Sequence, residues 1–215
     1  MIPSIQNFLL KLETRFDSIP AARKVLLEKI ADYCVMQQQQ KGYAQLIYIC
    51  THNSRRSHFG QIWGQVAADF YGIKNIKTYS GGTEATAFNG NAIDALKRIG
   101  FEITAMSADT NPVYKVIYDE AAEPLFCFSK TYDHPDNPQS DFAAIMTCSD
   151  AEENCPFIPG LDLRVGTTYD DPKSFDGTAD ESKMYDQRCE QIALECLFVM
   201  SLVHKKTNLS HQQFV

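Results

Sequence analysis

The chain has 215 residues, 44% of them hydrophobic and 22% charged, the balance of a globular protein, and at this length it can bury about 70% of its unfolded surface. That fits one large domain or one domain with an appendage, and excludes disordered, collagen-like and coiled-coil chains. Lys and Arg number 20 against 27 Asp and Glu, and the net charge of −7 argues against a nucleic-acid or anionic-membrane binder while leaving room for a local anion pocket.

The N-terminal stretch MIPSIQNFLLKLETRF has no basic head followed by an apolar run, and no apolar run approaches about 18 residues, so a cytoplasmic protein is expected. Ile5, Phe8, Leu9 and Leu12, then Ala22, Val25, Leu26 and Ile30, recur at spacings of three and four. This predicts two short helices, the second opened by Pro20 with Ser18 as a nearby cap. The run Gln37 to Gln40 followed by Lys41-Gly42 reads as a hinge, so residues 1–41 are expected to form a helical extension and 42–215 the main domain.

Leu46-Ile47-Tyr48-Ile49, ending at Cys50, is a continuous apolar run of the kind buried on both faces of a parallel sheet. A helix from Ser57 to Tyr71, a strand from Ile76 to Tyr79, a helix from Asn89 to Ile99 and an extended piece from Phe101 to Ile103 follow. This βαβα order predicts a doubly wound α/β fold. Tyr114 to Tyr118 and Leu125 to Phe128 flank the turn-like stretch Asp119 to Pro124 and read as a β-hairpin, inserted within about residues 112–140. Phe142 to Thr147 is a further buried strand ending at Cys148, and Asp180 to Lys205 carries an apolar side of helical spacing from Met184 to Val203.

The most informative stretch is Cys50-Thr51-His52-Asn53-Ser54-Arg55-Arg56-Ser57, of the form C-x5-R-S, between a strand and a helix. Such a loop aims backbone N–H groups and a helix N-terminus at one point, a site for a tetrahedral oxyanion with Cys50 at its base. The same field stabilises a thiolate. Arg56 can clamp two oxygens in a bidentate fork, Ser57 can donate to the sulfur, and Asn53 can hold the loop by side-chain to backbone bonds.

Seven cysteines, at 34, 50, 127, 148, 155, 189 and 196, are an odd number in a chain too large to need disulfide staples, which points to reduced thiols, some of them catalytic. Cys148 ends a strand at the same sheet edge as Cys50, where ligands bind in open α/β folds, so the two thiols are expected to be neighbours. Cys155 follows after SDAEEN. Were that segment helical, Cys148 and Cys155 would stand about 10.5 Å apart along the axis, and a disulfide between them would require unwinding. The C-x6-C spacing lacks a zinc pattern, and neither a metal nor a cofactor is expected. Cys34, Cys127, Cys189 and Cys196 fall on apolar faces and read as structural.

These residues resemble the low-molecular-weight protein tyrosine phosphatase superfamily, and within it the thioredoxin-coupled arsenate reductases. The cradle is similar to the C-T-G-N-S-C-R-S of that branch, and the resemblance continues through Trp63-Gly64, Tyr79-Ser80-Gly81-Gly82-Thr83-Glu84, Asn91-Ala92-Ile93, Thr147 to Pro156 and Tyr169-Asp170-Asp171-Pro172. It covers about residues 46–103 and 141–203. It implies a flavodoxin-like, mainly four-stranded parallel sheet with flanking helices. Three positions depart from the pattern: His52 stands for Gly, Arg55 for a cysteine, and Gln61 for the Glu that helps bind potassium in some reductases, which puts that ion site in doubt.

The resemblance also implies roles. Cys50 would attack an oxyanion held by residues 50–57, Asp171 would be the general acid with Asp170 as its competitor, and Cys148 and Cys155 would form a disulfide relay reduced by thioredoxin, serving arsenic detoxification. Lys173 follows Pro172 where the phosphatase branch has Tyr, which weakens the tyrosine-phosphatase reading. That alternative, hydrolysis of a phosphate ester through a cysteinyl-phosphate on Cys50, needs neither Cys148 nor Cys155. A third reading is a non-catalytic oxyanion- or redox-sensing module. His52 and His58 flank the cradle, facing either solvent or the site. An oxyanion substrate and thioredoxin are the expected partners, with no nucleic acid and no membrane.

Overall fold

The computed structural model describes residues 1–154 and 157–212. Helices α1 (Pro3–Glu13) and α2 (Ala21–Lys41) open the chain, joined by a 3-10 turn over Phe16–Ser18. Then come β1 (Ala44–Cys50), α3 (Arg56–Phe70), β2 (Ile76–Gly82), α4 (Gly90–Ile99) and β3 (Glu102–Ala105). The chain continues through β4 (Tyr114–Ile117), β5 (Leu125–Cys127), β6 (Phe142–Met146), α5 (Ser149–Asn154), β7 (Leu161–Gly166), a 3-10 turn over Pro172–Phe175, and α6 (Glu181–Gln212).

Four strands form a parallel sheet in the order β2-β1-β6-β7. Strand β1 lies between two neighbours and under cover on both faces, which is why its sequence is apolar without alternation. Leu46 and Tyr48, with Ala143, Ile145 and Val165, join the large core shared with the helices. Ile47, Ile49 and Cys50, with Ala144, Met146 and Cys148, build a smaller cluster on the opposite face, closed by Ala151 and Ile158. On α3, Gly60 and Gly64 face Tyr48, and a Cβ on Gly60 would run into its ring. The missing side chains let α3 lie close on β1, with its N-terminus at the carboxyl end of the strand.

The second sheet is antiparallel, in the order β3-β4-β5. The predicted hairpin is β4 and β5, whereas the piece at Phe101–Ile103, read as part of the parallel βαβα series, pairs instead with β4 as β3. Only Ile103 of β3 is buried, so it lacks the two apolar faces an inner parallel strand needs. The fourth parallel strand is β7, a sheet edge whose partly exposed residues give no continuous apolar run.

Helices α1 and α2 share the large core: Ile5, Leu9, Leu12, Leu27, Ile30 and Cys34 are buried with Val199 and Val203 of α6. Gln37 to Gln40 are helical rather than a hinge, because Gln37 is buried and donates from Nε2 to Asp162 Oδ2 on β7 at 2.8 Å. The helix stops at Gly42, whose φ of 79° lies in the left-handed region that glycine enters freely. Ser18 does not cap α2; its hydroxyl donates back to the Arg15 carbonyl at 2.7 Å. Among the described residues no helix is long and apolar enough to cross a membrane.

Candidate active site

The loop from Cys50 to Ser57 joins β1 to α3, and its shape follows from where its carbonyls are pinned. The Cys50 carbonyl accepts from Thr83 N at 3.2 Å and the Thr51 carbonyl from Glu84 N at 2.8 Å. The His52 carbonyl takes the hydroxyls of Thr86 and Ser129, both at 3.0 Å, and the Ser54 carbonyl takes Asn89 N at 2.9 Å. Each trans peptide points its N–H opposite to its C=O, so turning these carbonyls outward turns the following amides inward. None of the amides from His52 to Arg56 has an acceptor among the described residues. Gly82 closes the back of the loop; a Cβ there would lie 2.6 Å from Thr51 O and 2.7 Å from Asn53 N.

Asn53 locks the turn. Its φ of 43° is left-handed, a conformation Asn tolerates better than most side chains. Its Oδ1 accepts from Lys130 N at 2.8 Å, which stitches the segment after β5 to the cradle, and its Nδ2 donates to Ser57 Oγ at 2.8 Å. Ser57 Oγ lies 3.1 Å from Cys50 Sγ. Because that oxygen already accepts from Asn53, its own hydrogen is free to point at the sulfur. Cys50 is buried, 4% exposed.

Arg56 opens α3 and crosses the mouth. It donates from Nη1 to the Tyr169 carbonyl and from Nη2 to Asp171 Oδ2, both at 2.7 Å, while its buried Nε has no partner among the described residues. Asp171 also accepts from Lys173 N at 3.0 Å, capping the 3-10 turn that Pro172 starts. Asp170, its competitor in sequence, is fully exposed and faces Arg188 at 3.5 Å. Arg55 is 9% exposed and does not border solvent beside the cradle; it donates to the Tyr185 hydroxyl at 2.9 Å and stands 3.8 Å from Asp171 and 4.0 Å from Asp176.

Cys148 follows β6 at the same sheet edge. Its Sγ lies 3.4 Å from Thr51 Oγ1 and receives Ala151 N at 3.4 Å. Thr51 gives its hydroxyl hydrogen to Asp150 Oδ2 at 2.7 Å, so it meets the thiol as an acceptor. The two thiols are thus bridged by one residue of the cradle. SDAEEN is helical as α5, and Cys155 lies outside the described residues.

The histidines divide. His52 keeps a half-exposed ring 3.8 Å from Glu84. His58 is fully buried behind the cradle, stacked on Phe88 at 4.0 Å with Nδ1 3.3 Å from Ser80 Oγ. Burial, reinforced by the nearby Lys130 ammonium, pushes its imidazole down to about 3. Gln61 accepts the Ser80 hydroxyl at 2.6 Å, and no group of three or more His, Cys, Asp or Glu side chains among the described residues converges as a metal site would. Burial pushes the thiols of Cys34, Cys127, Cys189 and Cys196 up to about 12, and Cys189 accepts from Trp63 Nε1 at 3.2 Å. Sequence reasoning missed Tyr185, Tyr169 as the partner of Arg56, and Asp150; their partners lie many residues away and nothing in their spacing marks them.

No family model matches the chain. Arsenate reductase 2 of Staphylococcus haemolyticus is 31% identical over 128 residues, covering 59% of this chain and 77% of that protein. The chain belongs to the low-molecular-weight protein tyrosine phosphatase superfamily. The arsenate reductase of Bacillus subtilis is 29% identical over 143 residues, 66% of this chain and 84% of its own length. Among solved structures, an arsenate reductase in its phosphate-bound state overlays with a TM-score of 0.50 at 13% identity, covering 74% of this chain and 98% of that one, a likeness of fold. The superfamily fold therefore accounts for the parallel sheet and the cradle, and leaves a third or more of this chain outside the matched relatives.

Proposed function

We propose that this protein reduces arsenate to arsenite. The cradle binds the oxyanion through inward amides and the Arg56 guanidinium, whose unpartnered Nε is a donor awaiting an acceptor. Cys50, with Ser57 donating to its sulfur, attacks arsenic, and Asp171 protonates the oxygen that leaves as water. Cys148 then attacks Cys50 Sγ. The new Cys50–Cys148 bond takes the place of the sulfur–arsenic bond, whose electron pair stays on arsenic as arsenite departs. Cys155 attacks Cys148 and frees Cys50, and a dithiol donor of the thioredoxin class reduces the Cys148–Cys155 disulfide.

The observation that carries this reading is the second thiol beside the cradle, with Cys148 Sγ 3.4 Å from the hydroxyl of the residue next to Cys50. A phosphatase has no use for it. The rival reading, hydrolysis of a phosphate ester, uses the same Cys50, Arg56 and Asp171, the last two paired at 2.7 Å, and does without Cys148. One reduced preparation assayed for arsenite formation with a thioredoxin system and for aryl-phosphate hydrolysis separates the two. Arsenite formation that stops in Cys148→Ser is expected; hydrolysis with no arsenite overturns the reductase reading.

A further inference from the structure

The loop that carries Asp171 is held by a helix outside the stretches that resemble the superfamily. Arg23, in the first turn of α2, donates from Nη2 to the carbonyls of Thr167 and Thr168 at 3.0 and 3.1 Å and from Nε to Glu195 Oε2 of α6 at 2.8 Å. Its guanidinium carbon lies 4.7 Å from the centre of the Tyr169 ring. Tyr169 in turn donates its hydroxyl to the same Glu195 oxygen at 2.8 Å. Glu195 is 3% exposed, a buried carboxylate whose one salt-bridge partner among the described residues is Arg23. Three consecutive residues, Thr167 to Tyr169, are therefore fastened by their carbonyls, ring face and hydroxyl to one Arg–Glu pair. The far end of the segment is the site itself: the Tyr169 carbonyl accepts Arg56 Nη1, and Asp171, two residues on, accepts Arg56 Nη2.

We propose that Arg23 is a positioning residue for the acid loop, fixing Thr167 to Tyr169 and through them the stance of Asp171 at the cradle. This rests on the reading of Asp171 as the general acid. The chemistry suits Arg alone, because a planar fork serves a carboxylate and two carbonyls at once, whereas a lysine ammonium can neutralise Glu195 without spanning all three acceptors. It also gives the N-terminal helices a task at the site beyond filling the core.

Two variants test it. Arg23→Lys keeps the charge that Glu195 needs; Arg23→Met with Glu195→Gln removes both charges, so that neither is left buried alone. In both, amides of residues 167–176 should exchange at least about tenfold faster while those of 50–57 keep their wild-type rates. The kcat for arsenate reduction should fall about 10- to 100-fold, the scale of an ångström-sized misplacement. In an Asp171→Asn background the same changes should cost less than about twofold, since the group being positioned is already gone. Unchanged exchange at 167–176, or losses that multiply with Asp171→Asn, would overturn the proposal. If the wild type reduces no arsenate, the reading of the site fails, and the exchange rates alone decide whether Arg23 holds the loop.

Discussion

Cys50 and Ser57 are seven residues apart in sequence and 3.1 Å apart in space, and the chemistry proposed for the site hangs on that short bond and on the fork of Arg56. Cys50→Ser should abolish both arsenate reduction and any phosphate-ester hydrolysis to below about 1% of wild type, as loss of a covalent nucleophile does, with the thermal midpoint nearly unchanged. Arg56→Lys should be almost as harmful in kcat/KM, because an ammonium cannot serve the planar positions now taken by Tyr169 O and Asp171. His58 makes a different kind of prediction. Its imidazole sits at about 3 in the folded protein against 6.5 in the unfolded chain, so above pH 6.5 it is neutral in both states and its contribution to stability is fully present. As the pH falls from 6.5 towards 3 the unfolded chain gains the proton and the native state does not, and stability drops by up to about 1.4 kcal/mol per pH unit from this one group. Urea titrations at pH 7 and pH 5 should show a smaller loss in His58→Phe than in wild type; equal losses would mean that the buried ring titrates normally.

At the scale of elements, helix α5 is the part that must change. Seven residues of continuous helix span about 10.5 Å along the axis, too far for a disulfide, so the proposed relay requires the segment that α5 forms to unwind. Arg164 of β7 opposes that: its guanidinium pairs with Glu152 at 3.2 Å and donates to the carbonyls of Ala151 and Glu152. Arg164→Gln should therefore speed formation of the Cys148–Cys155 disulfide after arsenate exposure severalfold, read by thiol trapping against time; an unchanged rate would place the slow step elsewhere. This helix was legible only as a conditional, since SDAEEN has no apolar periodicity. Strand β1 is legible because burial on both faces leaves an unbroken apolar run, whereas edge strand β7 leaves none, and the three extended residues Phe101–Ile103 do not reveal that their partner is β4.

For the whole molecule, what could be read in advance was what is local in the chain: the C-x5-R-S cradle, the strand before it, the helix after it, and the hairpin. Much of what could not be read depends on contacts across more than a hundred residues. Arg23 and Glu195 are 172 apart, and Arg55 and Tyr185 130 apart, and nothing in the sequence around either residue of a pair names its partner. The glutamine run misled for the same reason, since Gln37 finds its partner in Asp162 on a distant strand. The most direct test of the account is to expose the fully reduced protein to arsenate without a reductant and map its disulfides by mass spectrometry. Wild type should accumulate Cys148–Cys155, Cys155→Ser should stall as Cys50–Cys148, and Cys148→Ser should form neither. Seven thiols that stay reduced while the protein hydrolyses an aryl phosphate at full rate would contradict the reductase account and leave a phosphatase in its place.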